Sequence, residues 1–167
     1  MFKFPKSIRE NFSYTPDQAV ISYMGGESYI LNDKLRRSVP LNDQEESIIK
    51  GIDEKLKNIA PYNNSTFRLL HFEDKEMFDK YVTERQEGSV FSAKSYISTS
   101  KNINDYSELG QAPYMAMLKI NGKNGKDISY LRNNGENEVL FARNTTFKVK
   151  NAMVSHDRIF FGEIDEV

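Results

Sequence analysis

The chain has 167 residues, with 23 basic and 24 acidic side chains, a formal net charge of -1 and no cysteine. This length fits one domain with a buried core, and the balanced charge gives no overall attraction to nucleic acid or to anionic membranes. The lack of cysteine excludes disulfide scaffolds, thiolate zinc sites and cysteine nucleophiles, and two distant histidines, His71 and His156, do not indicate a metal site. No apolar run approaches the roughly 18 residues that span a bilayer, and residues 1–6 lack the apolar core of a secretion signal. We therefore expect a soluble protein that starts in a cytosol, with delivery by another route left open.

The first third of the sequence predicts three amphipathic helices. Thr15 is suited to be the N-cap of the first helix, which we expect Gly25 and Gly26 to end. The second helix is predicted within 27–37, and the third runs from a cap at Asn42 or Asp43 to about residue 59, with apolar residues at helical spacing. Amphipathic helices need a surface to pack on, and the sheet that follows is the natural candidate.

The rest of the chain predicts short strands separated by turn residues. Strand-like segments lie at 66–72, 89–91, 96–100, 114–120, 127–130, 138–141, 146–150 and 158–164, with a short helix at 75–81 in which Met77, Phe78 and Tyr81 point inward. Helices followed by short strands predict an α+β fold with mainly antiparallel sheets. We expect a single domain over 1–167, with a helical part over 1–62 and a β-rich part over 63–167.

Two carboxylates, Glu136 and Glu138, stand two residues apart where a turn leads into a buried strand. The turn is indicated by residues 133–135, Asn-Asn-Gly. In an extended segment, side chains two residues apart share one face, so the two acids should lie side by side. Such a pair suits chemistry at a strand mouth, but it also suits a strand edge that is charged to prevent pairing with another chain.

Three short motifs occur in a fixed order: Arg68, then the Ser-Thr-Ser triplet 98–100, then Glu136 and Glu138. In this order and with these flanks they resemble the mono-ADP-ribosyltransferases of the arginine-serine-glutamate class, bacterial toxin and phage enzymes that use NAD. The blocks 88–100 and 125–149 are similar to the sequences that surround the family's serine motif and its catalytic loop, and 29–36 is similar to the helix that precedes the core in toxin-type members. The resemblance implies helices packed on two mainly antiparallel sheets, with an NAD cleft.

The resemblance assigns the central chemistry to Glu138. Transfer of ADP-ribose from NAD passes through an oxocarbenium-like state, which a fixed carboxylate beside the sugar stabilises. Ser98 would hold Glu138 in one rotamer, while Thr99 and Ser100 would shape the strand and the pocket floor. The alternative for the triplet is an ordinary β-rich strand that is partly exposed.

The resemblance assigns NAD binding to other residues. Arg68 would bind the phosphates through its planar fork of donors, although a structural arginine paired with an acid is the alternative. Leu69 follows Arg68 where the family commonly has glycine, so only its backbone N–H and C=O are offered to the nicotinamide amide. Tyr106 would stack on nicotinamide, or it is simply a surface tyrosine, and Tyr29 and Asn32 would contact the nucleotide, with core packing as the alternative for Tyr29.

Glu136 bears on the acceptor. In the family, Glu two places before the catalytic Glu goes with arginine acceptors, since a guanidinium is a poor nucleophile until a carboxylate orients it and takes its proton. The resemblance thus implies transfer to an arginine of a target protein, by a toxin, effector or phage enzyme that acts as a monomer, needs no metal and binds no DNA. NAD glycohydrolysis and a catalytically silent binding module of the same fold remain alternatives, and an RNA with an NAD cap could also occupy such a cleft.

Overall fold

The computed structural model describes residues 13–103, 111–132 and 137–167. Its first part is helical, with α1 over Pro16–Ser22, α2 over Ser28–Arg37 and α3 over Asp43–Lys57. A short π-helical segment, Tyr23–Glu27, joins α1 to α2. None of the helices in these ranges is long and apolar enough to cross a membrane.

Two helix starts are fixed by local hydrogen bonds, as the sequence predicts. The Gln18 amide N–H donates to Thr15 Oγ1 at 3.2 Å and the Thr15 amide donates to the Gln18 side chain at 3.1 Å, which forms a capping box. Asn42 and Glu45 form the same reciprocal pair at the start of α3, at 2.8 and 2.9 Å. The predictions of Thr15 and Asn42 as caps are confirmed.

The prediction that Gly25 and Gly26 end the first helix is confirmed. The backbone of Gly26 is not helical, and it forms a kink between the first helix and α2. Gly26 has a φ of 123°, which glycine adopts at little cost because it has no Cβ. The glycine pair therefore marks the kink that separates the first two helices.

Eight strands follow the helices in the described parts of the chain. They are β1 (Thr66–Phe72), β2 (Val90–Ser92), β3 (Ile97–Ser100), β4 (Tyr114–Asn121), β5 (Lys126–Asp127), β6 (Glu138–Phe141), β7 (Thr146–Ser155) and β8 (Ile159–Glu166), with helix α4 (Lys75–Glu84) between β1 and β2. Their order in the sheet is β2-β7-β8-β4-β1-β3-β6-β5, and every pairing is antiparallel except β4 with β8. The α+β class is confirmed.

The two expected sheets are joined, because hydrogen bonds link all eight strands into one sheet. The link between β1 and β3 is a single register pair, Phe67 with Ser100. Strands β6 and β7 lie five places apart in this order, which in a flat sheet would separate them by about 24 Å. The Phe141 and Phe147 ring centroids are nevertheless 5.5 Å apart. The sheet therefore folds over at the narrow β1–β3 joint into two layers.

The two layers enclose one apolar cluster, and the N-terminal helices cover a second one. Between the layers lie Ala116, Leu118, Ile120, Val139, Phe141, Phe147, Val149, Phe160 and Ile164, together with Phe78 and Tyr81 of α4. Helices α1 to α3 contribute Ala19, Val20, Leu31, Ile48, Ile52 and Leu56, which pack with Tyr96, Ile128 and Leu140. Strand β6 thus has apolar cores on both faces, and all four of its residues are buried.

Helix α4 buries Phe78 and Tyr81, as expected, and it extends past the predicted end at residue 81 to Glu84. The prediction that Met77 points inward is wrong, since Met77 is 60% exposed. Inward positions on this helix recur at a spacing of three, from Phe78 to Tyr81, which turns Met77 toward the side. The Phe78 ring stacks on Tyr114 at 5.4 Å and the Tyr81 ring meets Phe160 edge-on at 5.6 Å.

Hydrogen bonds tie the end of β3 to β5 and to the residues just after it. Lys101 Nζ contacts Asp127 Oδ2 at 2.9 Å and Ser129 Oγ at 3.2 Å, and its backbone N–H donates to Asn137 O at 2.8 Å. Burial tends to raise the pKa of Asp127, but hydrogen bonds from Ser129 and Lys101 outweigh it and hold that pKa below its usual value. This group fixes both sides of the connection that leads into β6.

Tyr81→Phe should stabilise the protein. The Tyr81 hydroxyl is buried and has no hydrogen-bond partner within the described ranges, and an unsatisfied buried hydroxyl costs on the order of 1 kcal/mol or more. We expect Tm to rise by roughly 2–4 °C per kcal/mol gained. Thermal denaturation checks this, with Tyr96→Phe as the matched control, because that hydroxyl donates to Asp53 Oδ1 at 2.5 Å and its loss should lower Tm. A lower Tm for Tyr81→Phe would show that its hydroxyl has a partner.

Asp127→Asn should destabilise the protein at neutral pH but not in acid. A carboxylate whose folded pKa is depressed adds stability above its unfolded pKa, about 3.9, and that stability is lost as the pH falls through the folded pKa. We expect the Tm difference between wild type and Asp127→Asn to be full at pH 7 and to shrink below about pH 4. Melting curves from pH 3 to 7 measure it. A difference independent of pH would rule out the ionised carboxylate as its source.

Candidate active site

The pairing of β3 with β6 brings two of the three motifs together. Ser100 lies opposite Glu138 and Ser98 lies opposite Leu140 in this antiparallel pair. Since opposite residues and residues two apart share a face, Ser98, Ser100 and Glu138 lie on the same face of the sheet. Ser98 is therefore a diagonal neighbour of Glu138, within the reach of cross-strand side chains. Glu138 is buried, with 9% of its surface exposed.

Thr99 lies on the opposite face of β3. It is buried, and its Oγ1 donates to Val139 O at 2.7 Å. This hydrogen bond from a side chain to the neighbouring strand adds to the β3–β6 ladder. The contact fits the part of the sequence interpretation in which the triplet shapes the strand, and it separates Thr99 from the surface that Ser98 and Ser100 share.

The first motif meets the second through Arg68, at the joint where the sheet folds over. Arg68 Nη1 donates to the backbone carbonyl of Ser98 at 2.8 Å. Arg68 as a whole is partly buried. Arg68 is thus held against the strand that carries Ser98 and that pairs with Glu138.

Tyr23 is a site residue that the sequence interpretation took only as part of an apolar helix face. Its hydroxyl lies 2.8 Å from Ser98 Oγ and accepts a hydrogen bond from Asn32 Nδ2 at 2.9 Å. Burial raises the pKa of Tyr23; the hydrogen bonds to Ser98 and Asn32 oppose this rise, Glu138 adds to it electrostatically and Arg68 opposes it. Arg68, Ser98 and Glu138 therefore all lie within interaction range of one phenol.

Asn32 contacts the site, whereas Tyr29 is open to solvent. The Asn32 side chain bridges Tyr23 and the backbone N–H of Tyr96, which donates to Asn32 Oδ1 at 3.1 Å. Tyr29 is 82% exposed, so core packing, the alternative considered for it, is wrong. Glu136 and Tyr106 lie outside the described residues.

The site therefore combines a buried carboxylate and several hydroxyls on one face of β3 and β6 with a guanidinium that contacts the β3 backbone. A carboxylate there stabilises positive charge that develops on a bound group, and a guanidinium binds the oxygen anions of phosphate. No local pattern in the sequence points to Tyr23, because the glycine pair shortly after it indicates only the kink that the structure has there. Nothing local distinguishes its hydroxyl from that of a core tyrosine.

Known proteins that are similar to this chain are ADP-ribosyltransferases. The family model described as ADP-ribosyltransferase exoenzyme matches residues 3–161. The chain is 31% identical over 139 residues to NAD(+)--protein-arginine ADP-ribosyltransferase Tre1 of Pseudomonas putida, an alignment that covers 81% of the chain. That alignment covers 26% of the relative, so the chain spans about a quarter of the relative's length.

Solved structures share the fold. Exoenzyme S from Pseudomonas aeruginosa, in complex with human 14-3-3 protein beta and bound to carba-NAD, superposes with a TM-score of 0.74 at 21% identity, over 93% of this chain and 76% of that one. The ADP-ribosyltransferase Vis from Vibrio splendidus, in complex with agmatine, gives 0.73 at 17% identity, over 100% of this chain and 88% of that one. With the family model matching nearly the whole chain, this protein belongs to the ADP-ribosyltransferase exoenzyme family.

Proposed function

We propose that the chain carries an NAD-dependent mono-ADP-ribosyltransferase activity that modifies arginine in a target protein. The observation that carries the proposal is the contact of Arg68 with Ser98, on the strand whose register places Ser98 beside Glu138. The arginine acceptor is supported by the printed name of the Pseudomonas putida relative and by the Vis complex with agmatine, which itself bears a guanidinium group. We take residues 1–167 as one catalytic domain.

In this proposal the glycosidic bond between the nicotinamide nitrogen and the anomeric carbon of NAD breaks, and its electron pair leaves with neutral nicotinamide. The sugar becomes oxocarbenium-like, and the carboxylate of Glu138 stabilises that charge. A guanidinium nitrogen of the acceptor arginine then bonds to the anomeric carbon. The proton it loses goes to Glu136, whose carboxylate also orients the acceptor.

The other assigned residues would hold NAD. Arg68 would bind its phosphates with the planar fork that suits oxygen anions. Among the described residues, β1 pairs with β4 along its whole length, whereas its pairing with β3 on the other edge is a single register pair at Phe67. That arrangement supports our assignment of the Leu69 backbone to the nicotinamide amide. A carboxamide can form with the Leu69 N–H and C=O the hydrogen bonds that a neighbouring strand would form. Ser100 would line the floor of the pocket.

Three further contacts belong to the same proposal. Asn32 would contact the nucleotide from α2, and its contact with Tyr23 places it at the site's edge. Tyr29, exposed one turn earlier, is accessible to a bound nucleotide. Tyr106 would stack on the nicotinamide ring, an interaction of about 0.5–2 kcal/mol for a cationic ring over an aromatic face.

NAD should stabilise the protein against heat. At an NAD concentration tenfold above Kd, binding to the folded state alone adds about 1.4 kcal/mol, which raises Tm by several degrees. Arg68→Ala should reduce this shift, since it removes the phosphate ligand. Differential scanning fluorimetry with millimolar NAD measures both, with the Tm of each free protein as reference. The absence of any shift in the wild type would favour a silent binding module of the same fold.

Glu138→Gln and Glu136→Gln should separate two steps of the reaction. Glu138→Gln should lower nicotinamide release and ADP-ribose transfer together by about 100-fold or more, as for loss of one transition-state group. Glu136→Gln should keep nicotinamide release within a few-fold and lose transfer to agmatine and to proteins of a cell lysate. Labelled NAD follows transfer, and nicotinamide release is measured in the same reactions.

Equal loss of both steps in the two variants would contradict this division of roles. Wild-type release of nicotinamide that is unchanged by agmatine or lysate, with no labelled product, would identify a glycohydrolase. A wild type without either activity would overturn the proposed function.

A further inference from the structure

We propose that Tyr23 is a positioning residue for the reaction, which orients the Ser98 hydroxyl toward the carboxylate of Glu138. The inference rests on the proposed function and goes beyond it, because it places part of the catalytic geometry in the helical layer. It depends on a chain of hydrogen bonds that runs from Asn32 through Tyr23 to Ser98.

The direction of this chain follows from the Asn32 amide. The Tyr96 backbone N–H is a donor only, and it contacts Asn32 Oδ1 at 3.1 Å. The other end of the amide, Nδ2, therefore faces Tyr23, and it donates to the phenol oxygen at 2.9 Å. Tyr23 accepts this hydrogen bond and keeps its own proton for another acceptor.

That acceptor is Ser98 Oγ, 2.8 Å from the Tyr23 hydroxyl. A tyrosine that donates to Ser98 leaves the serine proton free to point elsewhere. Glu138, an acceptor when ionised, is the diagonal neighbour of Ser98 on the same face of β3 and β6. In the proposed series, Asn32 donates to Tyr23, Tyr23 donates to Ser98, and the Ser98 hydroxyl is directed toward Glu138.

Two features make Tyr23 suited to this role. Its ring is 1% exposed and meets the Tyr96 ring edge-on at 5.6 Å, so the hydroxyl is held in place by packing. Burial also raises the pKa of Tyr23, which keeps the hydroxyl protonated and able to donate at physiological pH. The segment Tyr23–Glu27, which is kinked at Gly26, sets the position of the Tyr23 side chain relative to Asn32 on α2.

The test uses Tyr23→Phe, which removes the hydroxyl and keeps the ring. We expect kcat for nicotinamide release to fall about tenfold, with KM for NAD within twofold, because the group acts on Glu138 through Ser98. Ser98→Ala should give a similar loss, and the double variant should be no slower than Ser98→Ala alone. Such non-additivity distinguishes a shared path from two separate structural effects.

Tyr96→Phe is the matched control, since it also loses a buried tyrosine hydroxyl of the same apolar cluster. That hydroxyl bonds to Asp53 and to Ile49 O, away from Ser98. We expect this variant to lower Tm and to leave kcat unchanged.

Three results would overturn this inference but not the proposed function. They are full activity of Tyr23→Phe, losses that add in the double variant, and an equal fall of kcat in Tyr96→Phe. Glu138→Gln, assayed beside them, keeps the proposed function under separate test. An inactive wild type would overturn that function and this inference together.

Discussion

The register between β3 and β6 is the constraint on which the site depends. A slip by one residue would turn Glu138 from the face of Ser98 toward the layer that holds Val139 and Phe141. A carboxylate placed among apolar side chains there would lose its hydrogen-bonding surroundings, at a cost of several kcal/mol per ion. The same slip would remove Val139 and Phe141 from the cluster between the layers, so packing and electrostatics select the same register.

Hydrogen bonds outside the main ladder reinforce this register from both ends. Thr99 Oγ1 reaches across to Val139 O, and the Lys101 amide reaches Asn137 O. The apolar cores on the two faces of β6 also fix which way its side chains point. Leu140 belongs to the helical cluster and Phe141 to the cluster between the sheet layers. Short strands with one polar residue, such as β6, owe their position to tertiary packing more than to their own ladder.

Local signals explain what the sequence predicted well. The caps at Thr15 and Asn42 depend on contacts three residues away, and strand patterns depend on residues that are neighbours in sequence. The order of the three motifs identified the family, which implied that Arg68, Ser98 and Glu138 would meet. The folding of one hydrogen-bonded sheet into two layers was not predictable in this way, because it depends on how many residues β1 and β3 pair. The contact of Tyr23 with Ser98 spans 75 positions, and a helical tyrosine before two glycines carries no local sign of it.

The position of the polar groups follows from that same packing. Each apolar cluster excludes charge, so Glu138 and Arg68 can be accommodated only at the seam where the sheet turns and the helices meet it. Buried polar atoms at such a seam must satisfy one another, and Tyr23 and Asn32 supply the donors that the sheet cannot, since the β3 and β6 backbones are engaged in their ladder. The helical layer therefore does more than cover an apolar face: it completes the hydrogen bonding of the residues that the sheet brings together. A helix packed only for apolar contact could tolerate phenylalanine at residue 23, whereas one that completes a polar seam requires the hydroxyl.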